Sequence, residues 1–168
     1  MVIPSLEKLL FDACESFVKN ISKYNWAMIS ESDFRCAMYA ELVMAMEQKE
    51  MTEYPIRTEH KYGGFAADIA IGDNQEIAIE LKFSVFDYPL KQRDFAKAGK
   101  QIQGYLKNGA KKAYLICLDH QISPEREPLS KAIDIRKIGL SGEWREINGP
   151  MIAGDEFLVA TLEKAINE

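Results

Sequence analysis

The chain has 168 residues, 47% apolar and 28% charged, which suits one domain around a single hydrophobic core. Its 21 basic and 26 acidic residues leave a net charge of −5, which in bulk argues against a nucleic-acid binder. Three further classes drop out: no run of about 18 apolar residues can cross a membrane, MVIPSLEKLLFDACES lacks the basic-then-apolar order of a secretory signal, and Cys14, Cys36 and Cys117 match neither a disulfide framework nor zinc spacing.

Residues 5–20 read as a helix, with Leu6, Leu9, Leu10, Ala13, Phe17 and Val18 at helical spacing and Ser5 as its N-cap. Residues 32–50 read as a second helix, capped by Ser30 or Ser32 and rich in Ala, Met, Glu and Leu. Tyr54–His60 suits a strand closed by Gly63-Gly64. Phe65–Ile71 and Glu76–Phe83 suit two more, joined by the turn residues GDNQ. A helix follows over 94–108, from Asp94 to Asn108-Gly109. AYLICL, Ala113–Leu118, reads as a strand buried on both faces. Beyond the loop SPEREP, Ala132–Ile138 and Glu143–Ile147 read as a second hairpin around Ser141-Gly142, and Asp155 can cap a last helix over 156–167. No repeat or long linker interrupts this order. It predicts a single α/β domain over 1–168: a mixed β-sheet flanked by helices. With its cysteines in apolar surroundings, free thiols and a cytoplasmic location are expected.

Three charges stand inside the most strand-like stretch, ADIAIGDNQEIAIELKF at 67–83. Residues two apart share a face of a strand. Ile77, Ile79, Leu81 and Phe83 therefore form one face, and Ala78, Glu80 and Lys82 the other. Asp68 alternates with Ile69 in the same way, among the small residues Ala66 and Ala70. Only a register that aligns both aliphatic faces sets Asp68 opposite Glu80. Two carboxylates then converge, with Lys82 two residues along. Such oxygen donors suit Mg²⁺, which takes one or two carboxylates and completes its shell with water and phosphate. The plainer reading is an amphipathic strand showing Glu and Lys to solvent.

Charge is also uneven along the chain. KQRDFAKAGKQIQGYLKNGAKK, residues 91–112, holds seven basic residues and one acid, so the remainder carries −11. Such a zone is either a footprint for phosphates, with Lys97 and Lys100 on the helix, or a solvated helix face.

The spacing Asp68–x11–Glu80-Leu81-Lys82 resembles the signature of the PD-(D/E)XK nuclease superfamily, the restriction-endonuclease-like fold. The resemblance covers about residues 30–120. Two further stretches fit it. The helix FRCAMYAELVMAM carries Glu41 among apolar residues, on a stripe with Phe34, Met38 and Ala45 that can face the sheet. QIQGY places Gln101 and Tyr105 four apart, like the Q-x-x-x-Y motif of the RecB-type branch. Ala67 stands where the family's name-giving proline would be. The resemblance implies a nuclease that cleaves phosphodiesters, in DNA rather than RNA by analogy, with Mg²⁺ or Mn²⁺. It implies that Asp68, Glu80 and the Leu81 carbonyl hold the metal and that Glu41 holds a second ion or its water. Lys82 would position the attacking water, and Gln101 and Tyr105 would reach toward the substrate. Partners would be nucleic acid and a second copy or partner protein, with no membrane. The alternatives are a non-catalytic module on the same fold that binds nucleic acid or protein, and a plain interaction protein.

Overall fold

In the computed structural model, which describes residues 3–24, 28, 30–84, 90–120, 127–140, 143–149, 151 and 155–163, two helices open the chain. Helix α1, Ile3–Tyr24, buries Leu6, Leu9, Leu10, Ala13 and Phe17 completely. Ser5 lies within it rather than at its cap. Helix α2, Glu31–Gln48, begins at Ser30, whose hydroxyl accepts the Asp33 N–H at 3.2 Å. Among the described residues no helix is long and apolar enough to cross a membrane.

The two helices pack on a six-stranded mixed sheet of order β1-β2-β3-β4-β6-β5. Its strands are β1 Ile56–Tyr62, β2 Phe65–Ile71, β3 Ile77–Phe83, β4 Lys112–Asp119, β5 Arg145–Glu146 and β6 Glu156–Leu162. β1, β2 and β3 form an antiparallel meander. Helix α3, Gln92–Lys107, then crosses to β4, which lies parallel to β3. Parallel strands need a long crossover connection, usually a helix, to bring the chain back in the same direction. α3 covers the face of the sheet opposite α1 and α2. β4 is buried on both faces, as its unbroken apolar run predicts.

The C-terminal region differs from expectation. Ala132–Ile138 is no strand: it ends the short helix α4, Leu129–Ala132, and continues as a 3-10 turn, Ile135–Ile138. Local turn chemistry prevails there. The Asp134 carboxylate accepts the Arg136 N–H at 2.9 Å, and Gly139 closes the turn at φ 83°. Residues 156–162 form strand β6, not a helix. EFLVATL pairs with β4 from Asp119↔Glu156 to Ala113↔Leu162, and burial on both faces overrides the cap at Asp155. The Ser141-Gly142 turn, most of SPEREP and the end of the expected last helix lie outside the described residues.

The core under α1 and α2 centres on aromatic rings. Phe34 of α2 lies 5.5 Å from Phe17 of α1, 5.9 Å from Phe83 of β3 and 6.2 Å from Phe157 of β6, centroid to centroid. The core under α3 is built on smaller residues: Ala67, Ala70, Ala78 and Ala113 beneath Phe95, Ala98, Ile102 and Tyr105.

Candidate functional site

β2 and β3 pair at Ile71↔Ile77, Ala70↔Ala78 and Ile69↔Ile79. One step further sets Asp68 opposite Glu80, the register that the aliphatic pattern predicts. There the backbone ladder stops. Asp68 Oδ2 accepts the Leu81 N–H at 2.8 Å, where a β2 carbonyl would stand in an unbroken ladder. The N–H and C=O of an extended residue point the same way, so the Leu81 carbonyl opens onto the same gap. Across from Asp68, Glu59 of β1 adopts φ 51°, between the pairs Thr58↔Ile69 and His60↔Ala67. This left-handed backbone costs about 1–2 kcal/mol for a residue with a side chain. Such strain gathers where geometry serves a site.

Around the gap the charges interlock. Glu80 is 3% exposed, and its Oε2 lies 2.5 Å from the Tyr105 hydroxyl. Lys82 Nζ is 3.6 Å from Glu80 Oε1 and 3.4 Å from Glu31 Oε1, in the first turn of α2. One turn on, Arg35 reaches Asp68 Oδ1 at 3.5 Å and Glu59 at 3.4 Å.

Burial and the nearby Asp68 charge push Glu80 up to about 7, against the pull of Tyr105 and Lys82. Burial also raises Asp68 above its usual range, opposed by the Leu81 N–H, Lys82 and Arg35. Burial alone would lower Lys82, but Glu31, Glu80 and Asp68 outweigh it and hold the ammonium above its ordinary value. Burial and the Glu80 charge raise Tyr105, which stays a neutral phenol. That phenol faces two acceptors with one proton, since the Ala66 carbonyl lies 2.8 Å away. Both contacts are satisfied when Glu80 is protonated: Glu80 donates to Tyr105, and Tyr105 to Ala66.

The structure thus gathers Asp68, Glu80, Lys82, Leu81 and Tyr105. It sets Glu41 elsewhere. Glu41 is 1% exposed, but its carboxylate accepts from Asn20 of α1 at 3.2 Å and lines a cavity with Asp12, Ser16 and Lys49. The helix acid beside Lys82 is Glu31. The apolar stripe through Phe34, Met38 and Ala45 is buried as expected, but it turns Glu41 toward α1. Glu31 and Arg35 were not picked out from the sequence. Their signal is a charged i, i+4 pair at the start of an apolar helix. Gln101 is half-buried, one turn before Tyr105 on the same row of α3, and its amide has no hydrogen-bond partner among the described residues. Lys97 is exposed one turn earlier on that row. Lys100 lies off it, lining a separate groove.

Among the described residues no three His, Cys, Asp or Glu side chains come together as a metal-holding group. The donor set still fits a hard divalent cation of the Mg²⁺ type, which often takes only two carboxylates from protein. A carboxylate pair that must shed a proton near neutrality gains a partner when a cation arrives. No family model matches the chain, and neither a curated protein nor a solved structure matches it.

Proposed function

We propose that the chain is a nuclease on a restriction-endonuclease-like fold, hydrolysing phosphodiester bonds of nucleic acid, DNA by analogy, with Mg²⁺ or Mn²⁺. The observation that carries this reading is the meeting of Asp68 and Glu80 beside Lys82 where β2 leaves β3, with Tyr105 on Glu80. The order helix, three-stranded meander, helix, strand over α2 to β4 agrees with it. Asp68, Glu80 and the Leu81 carbonyl would hold the cation. When bound, the ion polarises the scissile phosphate and supplies a stronger nucleophile from water at neutral pH.

The side chains divide the remaining tasks. Lys82 stays protonated, so it donates and cannot accept. It orients the attacking water through the water's oxygen and offsets charge that grows on the phosphoryl oxygens. The water oxygen bonds to phosphorus and releases its proton to solvent as the bond to the leaving oxygen breaks, and the leaving oxygen takes up a proton from solvent. Glu31 and Glu80 hold the Lys82 ammonium in place. Tyr105 fixes the Glu80 rotamer and ties it to β2 through Ala66. Gln101, on the same row and with no amide partner among the described residues, meets the substrate.

A second reading has one observation in its favour. Arg35 already gives Asp68 a counter-ion, and Lys82 gives Glu80 one. A relative of such nucleases that binds without cutting would keep this balance. Nicking of plasmid and of single-stranded DNA, with Mn²⁺ and with chelator, separates the two. Metal-dependent products that vanish in Asp68→Asn support the nuclease. A parent protein that cuts nothing and whose melting point ignores Mn²⁺ sinks it.

A further inference from the structure

A groove of about 550 Å³ runs along α3. Lys100 and Lys107 of α3 line one wall, Lys137 and Ile138 the other, and Phe65 of β2 completes it. Two glycines bring these walls onto the helix. A Cβ on Gly99 would strike the Ile138 carbonyl, and one on Gly104 would strike the Phe65 ring. The lining contains three lysines and no carboxylate, on a chain with a net charge of −5. Phe65 is 37% exposed, one of two large apolar side chains so exposed among the described residues. A partly exposed ring framed by lysines is an arrangement that can take an unstacked base and its flanking phosphates. A duplex offers its phosphates but not a base face.

Along the chain, the groove's residues lie close to those of the site. Phe65 precedes Asp68 by three residues of extended strand, roughly 10 Å. Gly104 and Tyr105 are neighbours on α3, one against Phe65 and the other on Glu80.

We propose that this groove holds a single-stranded segment of the nucleic acid, with a base on Phe65 and phosphates on Lys100, Lys107 and Lys137. The proposal deepens the nuclease reading, on which it rests for what happens at the Asp68 end, by naming a substrate with an unpaired strand. Lys107, Lys137 and Phe65 are added to the residues that the sequence pattern picks out.

The test is fluorescence anisotropy of the full chain with a labelled oligothymidylate and with a duplex of equal length, in chelator, over a salt series. The single strand should bind more tightly than the duplex. Replacing Lys100, Lys107 and Lys137 together by Gln should weaken binding at least about tenfold and flatten the salt slope by about 2, near 0.7 per lost phosphate contact. Phe65→Ala should weaken binding about 5- to 100-fold with the slope unchanged, and Phe65→Tyr should retain it. If Phe65→Ala does not fold, the lysine variant and Phe65→Tyr decide. Equal or tighter duplex binding overturns the proposal, as does a mononucleotide that competes as well as the oligomer. Cleavage of the same strand with Mn²⁺ keeps the two readings apart. Parent cleavage with unaltered binding by the groove variants removes the groove and leaves the nuclease. Lost binding in those variants beside a parent that cuts nothing leaves the groove and removes the nuclease.

Discussion

Under α1 and α2, strands β2 and β3 present Ile69, Ile71, Ile77, Ile79 and Leu81, each fully buried; under α3 the same strands present Ala70 and Ala78. The first face is filled by its own side chains against helix residues. The second leaves a layer of space, and Tyr105 fills it by reaching down to Glu80. Each side also buries a glutamate. Glu41 is held between two helices by Asn20, while Glu80 stands where two strands part, beside Asp68 and Lys82. Burial of an acid is therefore common to both faces. Small neighbours, an interrupted ladder and a second carboxylate set Glu80 apart.

The largest expected effect tests what the alanine face is for. Lys82→Ala should lower metal-dependent cleavage by about 10²-fold or more while Mn²⁺ still raises the melting point. Asp68→Asn should remove both, with little change in metal-free stability, because Asn can still accept the Leu81 N–H. Equal loss of metal response in both variants would make Lys82 part of the cation's environment rather than the water's.

The next test sets the two faces against each other. Ile79→Ala should cost about 2–5 kcal/mol in denaturant unfolding through the cavity it leaves. Ala78→Leu should cost about 1–3 kcal/mol by overpacking and, unlike Ile79→Ala, should disturb Tyr105. If the two variants lose cleavage in equal proportion to stability, the faces do not differ in function.

Glu80 gives a third test. Its folded pKa of about 7 lies above the ordinary 4.5, so the native state binds the proton more tightly. The resulting stabilisation is full below about pH 4.5 and is lost as pH rises through about 7, at most about 3 kcal/mol. Metal-free melts should show a decline over that window that Glu80→Gln abolishes, and Mn²⁺ affinity should rise over it. Tyr105→Phe removes a donor to the ionised acid and should move the decline to higher pH.

The smallest effect belongs to Glu41. Glu41→Gln should leave Mn²⁺ affinity and cleavage near those of the parent, because Gln can still accept from Asn20. Glu31→Gln should change cleavage through Lys82. A reversed outcome would move the site to the other face.

What could be read from the sequence follows from how local each signal is. β2, β3 and α3 carry their own hydrophobic periods, and register follows from keeping Ile69 and Ile79 on one face. Tyr105 follows from the resemblance of QIQGY to the Q-x-x-x-Y motif rather than from spacing alone. EFLVATL is too short an apolar run to tell strand from helix alone, and its pairing with β4 decides. Glu31 and Arg35 depend on where the first turns of α2 land relative to β3, which helical period does not state. For Glu41, a position on a buried stripe fixes a direction only to within the neighbours available, and the neighbour that takes it is Asn20 of α1.

The ring cluster around Phe34 has a consequence for alignment. Phe34 neighbours Arg35 on α2, and its ring is keyed between Phe17, Phe83 and Phe157. This keying sets the rotational phase of the helix that carries the counter-ions of Asp68 and Lys82. Strand β6, which supplies Phe157, contributes none of those charges, yet it acts as a datum for them. Removing it would leave every charged residue of the gap in the chain and take away the reference by which Arg35 and Glu31 are aimed.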